Sequence, residues 1–236
     1  MTQPEALDAL AASTQRLLSA AHSLDETRLR EPSRLPGWTR GHVLAHIAGN
    51  AVGLSNLATW AATGVETPQY ASREEREREI NQGAADSKDV IVARVVATAD
   101  RLADALAAIP ADRMDFEVRF LSGATTKAKR IVAARMREVE IHHVDLDVGY
   151  EPSNWPPAFV HDALHNVVRT FDGKAAVPGL TLEGRDSGSV FTIHGGGPPT
   201  LAGPDWRLLA WLTGRQDGRY LVVSPAGPPP TLPPWS

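Results

Sequence analysis

Residues 137–150 read Arg137-Glu138-Val139-Glu140-Ile141-His142-His143-Val144-Asp145-Leu146-Asp147-Val148-Gly149-Tyr150, and they set a carboxylate and an imidazole four residues apart within an apolar pattern of helical period. On a helix, Glu138 and His142 share one face and stand about 6 Å apart along the axis. Asp145 follows three residues later on roughly the same side, where a carboxylate can hold the second ring nitrogen of a metal-bound histidine. The stretch predicts a helix that carries half of a metal site together with its supporting group.

Working outward, four helical patterns fill the first two thirds of the chain. Residues 5–24 place Leu7, Leu10, Leu17 and Leu24 on one broad stripe. The second helix begins after Pro36-Gly37-Trp38 with Thr39 as N-cap, carries Val43, Leu44, Ile47, Ala51, Leu54 and Leu57 at helical spacing, and stops at Gly64. After the loop Glu66–Tyr70, Ser72-Arg73-Glu74-Glu75 fits a capping box that opens a short charged helix to about residue 82. Its run 73–79 reads as a solvated face. The third long helix covers 88–109, with Val90, Ile91, Val95, Leu102 and Leu106 inward and Pro110 as its end. A loop or hairpin spans 114–125, and the fourth helix runs 126–148 to a stop at Gly149. Long helices with mostly short connections predict a four-helix bundle over residues 1–150.

The texture changes at Glu151-Pro152-Ser153-Asn154-Trp155-Pro156-Pro157, a linker composition. Residues 151–236 then read as a small mixed α/β domain: a helix at 158–171, strands near 180–183 and 189–194, a helix at 205–213 and a strand at 220–224. The glycine-rich segments 183–188 and 195–197 read as turns. Gly195-Gly196-Gly197 is a poor phosphate loop, because no strand-to-helix junction or following Lys-Ser/Thr supports it. Residues 225–234 form a Pro-rich tail, either a strap or a disordered segment. The expected class is α+β, a bundle followed by a small domain.

Composition narrows the chemistry. The 236 residues hold no cysteine, which excludes disulfides, thiolate metal sites and an internal thiol nucleophile. A net charge of −4 argues against a nucleic-acid partner. The amino terminus lacks a basic region followed by an apolar run, so it does not read as a signal peptide. His46, Asn50 and Asn56 interrupt the greasiest stretch, 43–62, and argue against a membrane span. The expected location is the cytoplasm.

Glu138 and His142 need a third ligand from a facing helix, and the second helix offers His42 and His46. His46 lies among Val43, Leu44, Ile47 and Leu54, and two histidines with one glutamate form a known catalytic zinc set with an open fourth position. Glu-x-x-x-His by itself arises by chance in many helices, so a salt bridge from Glu138 to Arg135, or a core histidine with internal partners, competes. A second register, Glu140 with His143, is the internal rival. Glu140 and Asp147 fall on a different face and read as solvated, and Trp38 and Trp60 read as core.

Three stretches in chain order carry a resemblance: Leu35-Pro36-Gly37-Trp38-Thr39-Arg40-Gly41-His42-Val43-Leu44-Ala45-His46, Gly64-Val65-Glu66-Thr67-Pro68-Gln69-Tyr70, and Arg137 through Leu146. Together they resemble the mycothiol-dependent maleylpyruvate isomerases, and the likeness extends to Leu212-Thr213-Gly214-Arg215 and the Pro-Pro-Trp near the end. It implies a DinB-like four-helix bundle holding a divalent metal, usually zinc, with a carboxy-terminal domain similar to sterol carrier proteins. The family's metal triad falls on His46, Glu138 and His142, its motif aspartate on Asp145 and its carboxy-domain arginine on Arg215. His143 and Asp147 stand where Ala and Gly are expected.

The implied activity is cis–trans isomerisation of maleylpyruvate to fumarylpyruvate in gentisate-type aromatic degradation. The implied cofactors are the metal and the thiol mycothiol, which would add reversibly to the double bond. Arg215 is then a carboxylate anchor, against the plain reading that it caps the helix ending at 213. Asp145 orients His142 or touches the thiol, and Arg40, unfavourably placed for the helix dipole, is a candidate cofactor contact. Expected partners are mycothiol and a small-molecule substrate, with the chain a monomer or weak oligomer. The rival readings are a mycothiol-dependent transferase, a metal-dependent hydrolase and a metal-stabilised ligand-binding module.

Overall fold

The computed structural model describes residues 2–235. The chain divides into two compact units, residues 1–149 and 150–236.

In the first unit, α1 (Gln3–His22), α3 (Arg40–Thr63), α5 (Lys88–Ala107) and α6 (Ile131–Asp145) form the bundle, with α1 packed on α5 and α6, and α3 packed on the same two helices. The short α2 (Glu26–Arg30), which sequence pattern did not signal, and α4 (Arg73–Ala84) both lie on α3. This makes α3 the central helix. Its buried residues, among them Val43, Leu44, Ala48, Leu54, Leu57 and Ala61, occupy every side rather than one stripe.

Both ends of α3 are set by its own sequence. Thr39 caps the start: its hydroxyl accepts from the His42 backbone N–H, and the Thr39 N–H donates to His42 Nδ1, so a histidine takes the role usually given to Glu. Gly64 ends the helix at φ +79°, a left-handed conformation that costs glycine nothing. Ser72 Oγ caps α4 by accepting from the Glu75 N–H.

Three differences from the sequence reading stand out in this unit. The fourth helix begins at Ile131 rather than 126, because Thr125–Lys127 (β2) pairs antiparallel with Glu117–Arg119 (β1) and a 3₁₀ turn follows. It ends at Asp145, four residues before the predicted glycine stop, and Asp147 takes φ +53° on the way out. Val90 is 48% exposed, since the stripe facing inward is Ile91, Val92, Val95, Leu102 and Leu106.

The second unit is a four-stranded sheet with helices against it. Strand order is β4-β3-β5-β6, with β3 (Leu180–Gly184) antiparallel to β4 (Val190–Ile193) and parallel to β5 (Thr200–Gly203), and β5 antiparallel to β6 (Val222–Ser224). Helix α7 (Pro157–Asp172) packs on β4 and on α8 (Asp205–Leu212), and α8 covers β3 and β5. The strand β5 escaped sequence reading because its four residues sit between prolines and lack a clear alternation. The tail is a strap, held where Lys174 Nζ donates to the carbonyls of Pro234 and Trp235.

Candidate metal centre

Helices α3 and α6 face each other across the bundle, and the side chains that meet there are His46, Glu138 and His142. His46 Nε2 lies 2.9 Å from Glu138 Oε2 and 3.0 Å from His142 Nε2, and His142 Nε2 lies 3.5 Å from the same oxygen. Donors bound about 2.1 Å from one shared ion stand roughly 3.0–3.5 Å apart, so the spacing suits a common ligand position. Two imidazoles and one carboxylate fit a divalent transition metal and leave a coordination position open.

Further partners steer each ligand. Asp145 is 1% exposed, and its Oδ2 lies 2.8 Å from His142 Nδ1. Arg76, from α4, places Nη2 3.0 Å from His46 Nδ1. Trp38 is half-buried rather than a core residue, its ring 5.6 Å from that of His46. Arg135, wholly buried, donates to the Ile47 carbonyl and to Asn50 Oδ1, both at 2.8 Å. The alternative of a Glu138–Arg135 salt bridge is therefore not what this helix pair forms. Arg76 also stacks over Tyr70, whose hydroxyl burial pushes up in pKa.

The electrostatics follow from burial set against these contacts. Burial, reinforced by the neighbouring His142, pushes the His46 imidazole down to about 4, despite its hydrogen bond to Glu138. Burial would raise Glu138, but hydrogen bonds from His142 and His46 outweigh it and hold the carboxyl well below its usual range. For His142, burial disfavours the charged ring and is outweighed by Asp145 and Glu138, so its pKa rises. The cluster thus presents an ionised carboxylate between two imidazoles.

The rival register lies elsewhere on α6. Glu140 was expected in solvent, yet it is 1% exposed and pairs with Arg16 of α1 at 2.8 Å. His143 is buried on that unit's interior, where burial and Arg16 push its imidazole down to about 4. Helix α6 is covered on two sides, by α1 and by α3, which keeps Glu140 and His143 away from water.

Arg40, a candidate cofactor contact by sequence, is committed within the bundle. Its buried guanidinium donates to the carbonyls of Leu146 (2.7 Å), Arg28 (3.0 Å) and Asp147 (3.3 Å) and to Glu31 (2.7 Å). It clamps the end of α6 to the turn before α3. Arg215 lies just past α8, where its Nη1 donates to the Thr213 carbonyl at 2.6 Å. It lines a cavity of about 480 Å³ with Trp211, Gln216, Asp217, Leu232 and Trp235, roofed by the proline strap.

Arg76 and Trp38 escaped sequence reasoning as site residues. The first sits in an ordinary run of alternating charge, and only the docking of α4 on α3 singles it out. Trp38 is adjacent to the cap of α3, and its position four and eight residues before His42 and His46 was a usable signal.

A four-helix bundle with a His-Glu-His cluster between two of its helices, joined to a small α+β unit, defines a two-unit bundle protein with a candidate metal site. The family described as the mycothiol maleylpyruvate isomerase N-terminal domain matches residues 10–147, and the chain belongs to it. Two crystal structures are similar over its whole length: a mycothiol-dependent maleylpyruvate isomerase and a histidine-to-alanine mutant of that enzyme. Each shows 28% identity and a TM-score of 0.90 over 98% of this chain and 97% of the other. No curated protein sequence matches. Among the described residues, no helix is long and apolar enough to cross a membrane.

Proposed function

We propose that this protein is a mycothiol-dependent maleylpyruvate isomerase with a zinc-type centre on His46, Glu138 and His142. The observation that carries the reading is the convergence of those three side chains in a chain similar over its full length to such an enzyme. Bound there, a divalent metal would favour the thiolate form of a coordinated thiol near neutral pH, and the absence of cysteine means the thiol comes from outside. When bound, mycothiol would supply a sulfur nucleophile that can add reversibly to the cis double bond, which would let that bond turn and return the thiol with the trans isomer.

The chain's own residues contribute positioning. Asp145 accepts from His142 Nδ1 and turns Nε2 toward the ligand position. Glu138 supplies the negative charge that offsets the metal's. The guanidinium of Arg215 is proposed as the anchor for a substrate carboxylate, in addition to its bond to Thr213. The test is a maleylpyruvate assay with and without mycothiol on metal-loaded protein, with His46→Ala and Arg215→Ala alongside. Turnover by catalytic amounts of thiol, lost in His46→Ala, is expected. A stoichiometric thiol requirement would mean transfer instead, and ester or amide hydrolysis without thiol would mean a hydrolase.

A further inference from the structure

Helix α7, in the second unit, carries another pair of histidines. His161 and His165 stand in His161-Asp162-Ala163-Leu164-His165, a spacing of four that stacks two imidazoles on one face, as in helices that bind zinc through a His-x-x-x-His pair. The buried stripe of α7 runs through Val160, Ala163, Leu164, Val167 and Val168, and both histidines lie off it, exposed. Their ring centroids are 4.7 Å apart and the planes cross at 74°. In the candidate metal centre, His46 and His142 stand at 4.6 Å and 83°, with their Nε2 atoms 3.0 Å apart. The α7 pair thus repeats the mutual placement of two rings that are already set to share an ion. Neither ring has a hydrogen-bond partner among the described residues, so its nitrogens are uncommitted. On its other side His165 packs edge-on against Phe191 of β4, with centroids 4.9 Å apart, and Phe191 is itself buried. That contact holds one ring in place and lowers the ordering cost of binding.

We propose that His161 and His165 form a second metal site, a surface chelate on α7 that takes a divalent transition ion, copper(II) most tightly and nickel(II) and zinc less so. The order follows the general ranking of these ions on nitrogen ligands. No third His, Asp or Glu among the described residues joins the pair, so the remaining positions go to water or to a ligand from solution. Two imidazoles with water in the other positions suit the tetragonal geometry of copper(II) and nickel(II) better than the closed tetrahedron of structural zinc. The ion held there is exchangeable, and the fold does not depend on it. The second ring is a tethered ligand, so the pair binds about 100-fold or more tighter than one imidazole alone. The inference does not rest on the metal centre of the bundle, with which it shares no residue.

The experiment isolates the pair by disabling the bundle cluster. Copper(II) and nickel(II) are titrated by calorimetry into chelator-treated His46→Ala protein, and into the same protein carrying His161→Ala or His165→Ala as well. The expected result is an ion bound by His46→Ala, copper tighter than nickel, and an affinity lower by about 100-fold or more when either α7 histidine is removed. Electron paramagnetic resonance of the copper(II) form should show two nitrogen ligands, falling to one in either double variant. Circular dichroism confirms that each variant folds, and the exposure of both rings spares the packing of α7. Should His46→Ala fail to fold, wild type against His161→Ala/His165→Ala gives the same answer as one ion fewer per chain. The proposal is overturned if His46→Ala binds neither ion, if loss of either ring leaves the affinity within twofold, or if only one of the two rings matters. An ion that wild type holds and His46→Ala loses, whatever the α7 variants do, reports on the bundle cluster alone.

Discussion

Replacing Asp145 by asparagine is expected to weaken metal binding without unfolding the bundle. The carboxylate is 1% exposed and holds His142 Nδ1 at 2.8 Å, which sets both the ring's orientation and its tautomer. Asparagine keeps the shape but removes the charge, and its amide can present NH₂ to the ring, which drives the hydrogen onto Nε2, the ligating atom. Loss of an outer carboxylate partner of a metal-bound histidine costs about 10–100-fold in affinity, equivalent to about 1.4–2.7 kcal/mol. Competitive titration with a zinc-binding dye measures this directly. Thermal unfolding with and without metal gives an independent check, since the ion raises Tm by mass action and the gain should shrink in Asp145→Asn. An affinity within twofold of wild type would refute the reasoning and leave Asp145 as an ordinary helix partner.

Other expectations follow from single contacts. Arg16→Met strips an ion-pair partner from the buried Glu140 and should destabilise the first unit by about 1–3 kcal/mol in urea unfolding, while metal affinity stays unchanged; a loss of metal would instead favour the Glu140 register. A Cβ at Gly53 would lie 2.9 Å from the Tyr70 ring and 3.0 Å from the Gln69 carbonyl, so Gly53→Ala should cost about 1–3 kcal/mol, read as a lower urea midpoint. Tyr70 has a raised folded pKa, so its contribution to stability is present below its unfolded value of about 10 and is lost as pH rises through and above it. Absorbance at 295 nm should show one of the three tyrosines ionising late in the folded protein, a step missing in Tyr70→Phe.

Much of the bundle was legible because its helices announce their ends locally. Thr39 and Gly64 bound α3, and both act through groups within a few residues. The same logic misplaced the start of α6, where residues 125–127 are consumed by pairing with 117–119, a nonlocal bond that periodicity cannot see. Glu138 and His142 were visible from spacing, whereas the choice of His46 over His42 turned on an apolar neighbourhood and on family likeness. His42 proves to be the capping partner of Thr39. Glu140 read as solvated because two-sided burial of a helix with ordinary polarity leaves no stripe to read. The reach of Arg76 into the site depends on how α4 docks, which no local pattern encodes.

The Arg40 clamp has a consequence for how the protein comes off the ribosome. Its bond to the Leu146 carbonyl joins groups 106 residues apart in sequence. At about 5–20 residues per second, the second half of that contact emerges roughly 5–20 s after the first. Until then α3 has its cap but not its clamp, and an apolar helix must wait without α6 to cover it. In this interval the nascent chain exposes the apolar surface of α3 that α6 later covers.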